Sequence, residues 1–333
     1  MQKSIDTEKI EEKESLKRNI KLKKIGIAVI KFLISAGLIY WILRGTNFND
    51  IFTAMGNANF LLVALSFSLH FIGYYVSAVR WKLLLEAQGV KTKISYLIKS
   101  YIVSTFFNHL LPSTFGGDTV RAYDSYKAGK SKSGAIAVIF VDRFLGLFTL
   151  MFFALTATLF AGEITSKVPY LFLWVIIGFL LMVLVVLIIF FPTKKLSELV
   201  SKIKIPFSAK LQRILEKIIE AFWTFKGQKK VLFKALGLSL ILQTNVITYY
   251  FLIASSLGLN IPFYNFFLIV PLSIFIMMLP ISINGIGLRE NTFFFFLSAF
   301  AIMKPEAIAF AWIEYGILLF QGVLGGIVYA FRK

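Results

Sequence analysis

Two segments of the sequence combine proline, glycine and arginine in a pattern that suits anion binding. The first runs from Leu111 to Arg121 and the second from Leu279 to Arg289. Each opens with Leu-Pro, has a glycine five residues after the proline and has an arginine nine residues after it. Proline ends a helix by removing a donor, and glycine lets backbone approach a ligand closely. The spacing therefore predicts two breaks, each followed by a restarting helix.

A helix that restarts after such a break can bind a phosphate or carboxylate group. Its first N–H groups lack intrahelical acceptors and carry partial positive charge. The arginine one turn further on adds a guanidinium fork for the same anion. We predict a substrate-binding site formed by the breaks and the polar residues beside them: Asn108, Pro112, Gly116, Gly117, Asp118, Arg121, Asp142, Arg143, Pro280, Asn284, Gly285, Gly287, Arg289 and Glu290.

The protein's own carboxylates offer another use for these arginines. Asp118 is placed to cap its helix and pair with Arg121, three residues on. Glu290 is placed to pair with Arg289 or Lys304. The sequence leaves open whether an external anion or these carboxylates occupy the arginines.

Further polar side chains lie within apolar segments. Asp142, Arg143 and Glu314 are costly when they face lipid, so we expect them to face the interior of a bundle, for mutual pairing or for substrate. Several uncharged polar residues are expected to form hydrogen bonds between helices: His70, Gln243, Asn245 and Gln321.

The composition places these residues in an integral membrane protein. The chain is 58% apolar with a mean hydropathy of +0.77, well above a soluble domain. Its net charge of +19 is explained by basic cytoplasmic loops rather than by nucleic acid, so we expect no nucleic-acid partner. The absence of cysteine excludes disulfides and thiolate chemistry, and the two histidines are too far apart for a helical metal pair. We expect neither a cofactor nor a metal.

The apolar segments predict an all-α, polytopic membrane helix bundle. About 20 residues cross the hydrocarbon core. Six segments reach that length: 25–43, 60–79, 134–161, 169–191, 231–257 and 307–330. Two shorter pieces, 96–111 and 263–279, stop at a proline, and a short Phe-rich run, 292–303, follows the second. We predict that they belong to re-entrant broken hairpins, 96–130 and 263–303.

Loop charge predicts the orientation, because Lys and Arg accumulate in short cytoplasmic loops. If 96–130 enters and leaves from the cytoplasm, 28 Lys and Arg fall inside and three outside. For 263–303, loop charge is consistent with either a hairpin entering from outside or two full crossings, and length favours the hairpin. Two hairpins entering from opposite faces would form an inverted repeat as in many transporters. We expect a multi-pass protein of the cell (plasma) membrane with both termini in the cytoplasm.

The predicted domain organisation is simple. A charged cytosolic segment covers 1–24, and a single transmembrane domain covers 25–332. Within that domain, the basic 192–230 loop carries apolar residues at helical spacing, which indicates an amphipathic helix at the cytosolic surface.

Four motifs occur together along the chain: Asn108 to Pro112, Gly116 to Arg121, Asp142-Arg143, and Pro280 to Glu290. In this combination the sequence resembles the lysylphosphatidylglycerol synthase transmembrane-region family of flippase-like membrane proteins over about residues 20–330. It departs from the family's pattern in having Asp142 where Glu is common and Asn284 where a second Gly is frequent. The resemblance implies a domain that moves an anionic or aminoacylated phospholipid, or a related lipid-linked substrate, between leaflets.

Longer relatives add a cytosolic aminoacyltransferase domain that lysylates phosphatidylglycerol. Here the sequence ends at Lys333, just past the last predicted span, so we expect no such domain.

Three functions remain open at this stage. The leading hypothesis is a lipid translocase with a cationic mid-membrane site; it has no Walker A motif, so gradients or mass action would drive it. The second is a non-catalytic membrane partner of lipid or glycan enzymes. The third is a lipid-modifying membrane enzyme with Asp118, Asp142 or Glu290 as acid or base. The expected partner is a membrane phospholipid or lipid-linked substrate, and a homodimer or a membrane-enzyme complex is left open.

The orientation can be tested with single engineered cysteines, because the chain contains none. We expect Asn57→Cys, in the outside loop, to react with a membrane-impermeant maleimide in intact cells. Lys91→Cys, in an inside loop, should react only after permeabilisation. Reaction of Lys91→Cys in intact cells would contradict the predicted orientation.

Overall fold

The fold was analysed in a computed structural model that describes residues 26–27, 29–110, 116–129, 131–190, 223–225 and 227–332. Throughout these residues the regular secondary structure is helical, which confirms the predicted all-α class. The predicted N-terminal segment 1–24 and most of the 192–230 loop lie outside the described residues. The helices are α1 Val29–Leu43, α2 Phe48–Gly56, α3 Phe60–Glu86, α4 Ile94–Leu110, α5 Gly116–Lys127, α6 Lys132–Ala157, α7 Gly162–Thr165, α8 Leu171–Phe190, α9 Lys229–Ser256, α10 Phe266–Met277, α11 Leu288–Leu297 and α12 Lys304–Ala330.

Four of the described helices are long and apolar enough to cross a bilayer: α3, α6, α9 and α12. A fifth candidate arises if α1 and α2, which bend by 83° at their junction, count as one span. The chain is therefore an integral membrane protein with several apolar helices. Helices α4 and α10, at the predicted hairpins, are shorter and contact α5 and α11, respectively. The six-span count and the inverted repeat stay predictions.

Close packing of α12 against α4 depends on glycines at helical spacing. Gly322, Gly325 and Gly326 all face α4, where a β-carbon on any of them would press on His109, Ile102 or Phe106. Without a strong hydrophobic drive inside lipid, small residues let helix backbones approach and gain van der Waals contact. These glycines therefore fix α12 beside the first break.

Helix α1 braces the second break. Gly287 has φ of +79°, and a β-carbon there would lie 2.6 Å from Cβ of Leu38 and 2.8 Å from the Ser35 carbonyl. The Ser35 hydroxyl accepts a hydrogen bond from the Ile283 N–H at 2.9 Å, and the Asn291 amide donates to the Leu38 carbonyl at 3.1 Å. Glycine is required at 287 for both its backbone conformation and its closeness to α1.

The packing of α12 on α4 yields a stability prediction. In Gly325→Ala the new methyl group meets the Ile102 carbonyl and lies 3.0 Å from the Thr105 hydroxyl oxygen, so we expect a loss of about 1–3 kcal/mol. Gly316→Ala is the matched control in the same helix, since its β-carbon meets nothing within 4 Å. Thermal unfolding in detergent measures both. Equal melting temperatures for the two variants would show that Gly325 does not set this contact.

Candidate functional site

A cavity of about 530 Å³ lies inside the bundle and is lined by residues of α3, α4, α5, α6, α9, α10 and α12. Helix α4 contributes one face, with Tyr101, Ser104, Thr105 and Asn108 at spacings of three and four residues. Helix α5 begins at Gly116, directly after the first break, and contributes its first turns to the same space. Most of the residues that the sequence predicts for a site at the first break therefore line this cavity.

Asp142 is the centre of the charged cluster beside this cavity. Its carboxylate accepts a hydrogen bond from Nε of Arg80 at 2.6 Å and another from Nη2 of Arg121 at 2.6 Å. The Tyr101 hydroxyl donates a third at 3.2 Å. Arg80 also donates to the Ser239 hydroxyl at 2.7 Å, which links the cluster to α9. One carboxylate therefore joins α3, α4, α5 and α6.

Asp118 forms the second acidic point of the cluster. It pairs with Arg143 and lies 3.5 Å from Nη1 of Arg121. The Arg121 guanidinium lies over the rings of Tyr101 and Trp81, at 4.1 and 4.8 Å from their centroids. Aromatic faces stabilise a buried cation, so Arg121 is held on several sides.

The second break borders a smaller cavity of about 370 Å³, which Asn284, Gly285 and Arg289 help to line. Arg289 follows the break by one turn, and its Nε lies 3.0 Å from Oε2 of Glu314. The guanidinium also lies 4.4 Å from the centroid of Tyr315. Arg289 and Glu314 are thus placed together at the second break as Arg121 and Asp142 are at the first.

The two cavities are neighbours, and the second break contacts α4 beside them. Asn108, Tyr250 and Glu314 are among the residues that line both. The Asn284 amide donates to the His109 carbonyl at 3.0 Å, so the second break contacts the end of α4. Residues that are far apart in the sequence therefore line one polar region inside the bundle.

One glycine N–H group at each break binds a side chain of the protein itself. The Gly117 N–H donates to the Asn108 side-chain oxygen at 2.7 Å. The Gly287 N–H donates to Glu290 Oε2 at 2.8 Å. We expected both helix starts to point free N–H groups at an anion, and for these two groups that expectation is wrong. These two N–H groups are therefore occupied by side chains of the protein itself.

The predicted site residues separate into four groups. Asn108, Gly117, Asp118, Arg121, Asp142, Arg143, Asn284, Gly285 and Arg289 line the two cavities. Gly287 and Glu290 support the second break instead, Gly116 and Pro280 line neither of these cavities, and Pro112 lies outside the described residues. Glu290 is not the ion-pair partner of Arg289, because Glu314 is.

Arg80 is a member of the cluster that lies one residue beyond the predicted span 60–79 and is absent from the predicted site. Helix α3 continues to Glu86, and Arg80 is only 4% exposed. A signal for it exists, since His70, Ser77 and Arg80 recur at helical spacing on one face of α3. Two of the uncharged polar residues predicted to form hydrogen bonds between helices do so. The Asn245 amide donates to the Leu69 carbonyl at 3.0 Å, and the Gln321 side chain accepts a hydrogen bond from the Tyr74 hydroxyl at 2.7 Å.

The charged lining of the two cavities has a net positive charge. Among the described residues it contains four arginines and three carboxylates: Arg80, Arg121, Arg143, Arg289, Asp118, Asp142 and Glu314. The difference is one positive charge, which a monovalent anion would neutralise. In a low-dielectric interior, an uncompensated charge is costly, so the cavity favours such an anion.

The fold and this interior define an integral membrane protein whose apolar helices enclose an arginine-rich cavity. The family described as Lysylphosphatidylglycerol synthase TM region matches residues 28–326, and the chain belongs to this family. The chain is also similar to the UPF0104 membrane protein PH1989 of Pyrococcus horikoshii, with 24% identity over 327 residues, covering 92% of this chain and 96% of that protein. The resemblance drawn from the four motifs is thereby confirmed.

The shared carboxylate yields a stability prediction. Asp142→Asn leaves two buried guanidiniums without their common counter-charge, so we expect a loss of about 3–5 kcal/mol. The matched control is Asp50→Asn, an exposed aspartate in the first turn of α2. Both are compared by thermal unfolding in detergent. Wild-type stability of Asp142→Asn would refute the central role of this carboxylate.

Proposed function

We propose that the protein translocates an anionic or aminoacylated phospholipid, or a related lipid-linked molecule, between the leaflets of the plasma membrane. The observation that carries the proposal is the pair of adjoining cavities, which have a net positive lining and include residues of both breaks. In the proposed mechanism a headgroup phosphate passes between the two breaks while the acyl chains stay in lipid.

The chemistry of the cavity wall supports this substrate class. Besides the arginines, the larger of the two cavities is lined by apolar side chains: Leu147, Leu150, Leu242, Val246 and Ile274. A lipid headgroup has the same division, with a charged phosphate next to an apolar glycerol and chain region. Guanidinium groups bind phosphate oxygens through paired hydrogen bonds, which fixes the orientation of the headgroup.

The proposed mechanism uses the predicted topology. Re-entrant hairpins entering from opposite faces would bring their breaks together near the bilayer midplane, as inverted repeats do in many transporters. Polar backbone at that depth is tolerated only inside protein or beside an aqueous cavity. We place the basic loops and both termini on the cytoplasmic side, which orients the first break toward the cytoplasmic leaflet.

Arg143 offers the sharpest test of headgroup binding. It pairs with Asp118, and with a side chain 29% exposed it is less buried than Arg80, Arg121 or Arg289. We expect Arg143→Gln to slow translocation of fluorescent phosphatidylglycerol about tenfold or more, since one charge-assisted hydrogen bond is lost. The assay follows bleaching by a membrane-impermeant reductant in proteoliposomes.

Two controls accompany this measurement. Lys91→Gln removes an exposed cation outside the cavities and should leave the rate unchanged. Arg143→Lys keeps the charge without the planar fork and should give an intermediate rate. If wild-type protein produced no bleaching beyond that of empty vesicles, the proposed function would be wrong.

A further inference from the structure

The Arg289–Glu314 pair differs from the Asp142 pairs in its hydrogen bonding. Arg80 and Arg121 each donate directly to Asp142 at 2.6 Å. Arg289 Nε lies 3.0 Å from Glu314 Oε2, but its N–H does not point at that oxygen, and neither atom has a hydrogen-bond partner among the described residues. Both side chains are more than nine-tenths buried. Buried polar groups without hydrogen-bond partners are costly. An anion therefore displaces Glu314 from Arg289 more easily than it displaces Asp142 from Arg80 or Arg121.

Glu314 is placed to respond to an occupant of the cavities. It lines both of them, at the point where residues of both breaks converge. Its Oε1 accepts a hydrogen bond from the Tyr250 hydroxyl at 3.0 Å, which leaves Oε2 on the side of Arg289. An anion that reaches Arg289 competes with Oε2 for the guanidinium.

We infer that Glu314 takes up one proton when an anionic headgroup binds to Arg289, so that lipid movement is coupled to proton movement. The inference rests on the proposed function. A phosphate oxygen replaces Oε2 at Arg289, and the displaced carboxylate has lost its counter-charge in a low-dielectric site. Such a carboxylate is more stable when neutral, so a proton from solvent binds to Oε2. When the headgroup leaves, Arg289 pairs with Glu314 again and the proton is released.

The neighbours of Glu314 identify it as the proton-binding group. The titratable and charged side chains around it are Tyr249 and Tyr250 of α9, Arg289 and Glu290 of α11, His109 of α4 and Tyr315 of α12. The carboxylate of Glu290 is engaged by the Gly287 N–H. Tyrosines stay protonated near neutral pH. Histidine is the other residue type in this group that ordinarily changes charge between pH 5 and 8, so His109 is tested beside Glu314.

Coupling of one proton to one singly charged headgroup has an electrical consequence. The two charges cancel, so the transported pair carries no net charge. A pH gradient should therefore change the translocation rate, whereas a membrane potential without a pH gradient should not.

The first experiment measures protonation directly. Infrared difference spectra are recorded on reconstituted wild-type protein as short-chain phosphatidylglycerol is added. We expect the C=O band of a protonated carboxylic acid to appear, to be lost in Glu314→Gln, and to persist in His109→Gln and in the exposed control Glu163→Gln. Lipid binding without this band in the wild type, or the same band in Glu314→Gln, would overturn the inference.

The second experiment needs no variant. Wild-type proteoliposomes that carry fluorescent phosphatidylglycerol in phosphatidylcholine receive a pH gradient of either sign, or a potential alone. We expect the translocation rate to change several-fold with the pH gradient, in opposite directions for gradients of opposite sign. A protonophore collapses the pH gradient, so we expect it to abolish the response to a gradient of either sign. Translocation that ignores the gradient would overturn the proton coupling and leave the proposed function standing. Absence of both binding and translocation would overturn both.

Discussion

The interior of this protein depends on one carboxylate shared by two guanidiniums. Asp142 is 1% exposed and joins Arg80 of α3 to Arg121 of α5, with α6 between them. A buried charge without a partner would cost several kcal/mol, whereas the three groups hold one another in place. The start of α5, and so the end of the first break, is positioned by this contact. The cavity lies beside this cluster, and its lining combines these ionic groups with apolar side chains.

The two breaks are similar in sequence but differ in their surroundings. Arg121 is enclosed by a direct hydrogen bond to Asp142 and by two aromatic rings, which makes its position rigid. Arg289 has an ionic contact without a directed hydrogen bond. A transport site needs one part that orients the headgroup and another that yields as it passes. In the proposed mechanism the first break does the former and the second does the latter.

Much of the fold and part of the site follow from sequence patterns. Apolar length and the Leu-Pro, Gly and Arg offsets predict the helical class and locate both breaks, because these effects are local. Ion-pair partners depend on which helices become neighbours, and that is not local. Arg80 lies one residue beyond the predicted span 60–79, but α3 continues to Glu86 and Arg80 pairs with Asp142, which lies 62 residues further along the chain. The sequence suggests that Glu290 pairs with the adjacent Arg289, but its carboxylate instead accepts a hydrogen bond from the Gly287 N–H.

The contact between Arg121 and Trp81 also gives the protein an internal optical reporter. Trp81 is fully buried, its indole N–H donates to the Ser125 hydroxyl at 3.2 Å, and its ring is 4.8 Å from the guanidinium that lines the cavity. Trp41 and Trp174, by contrast, are 69% and 68% exposed. Indole emission shifts with the electric field at the ring, and the field at Trp81 is set by a charge that a bound anion would offset. Under the proposed function, the emission of Trp81 therefore reports the occupancy of the cavity without any attached dye.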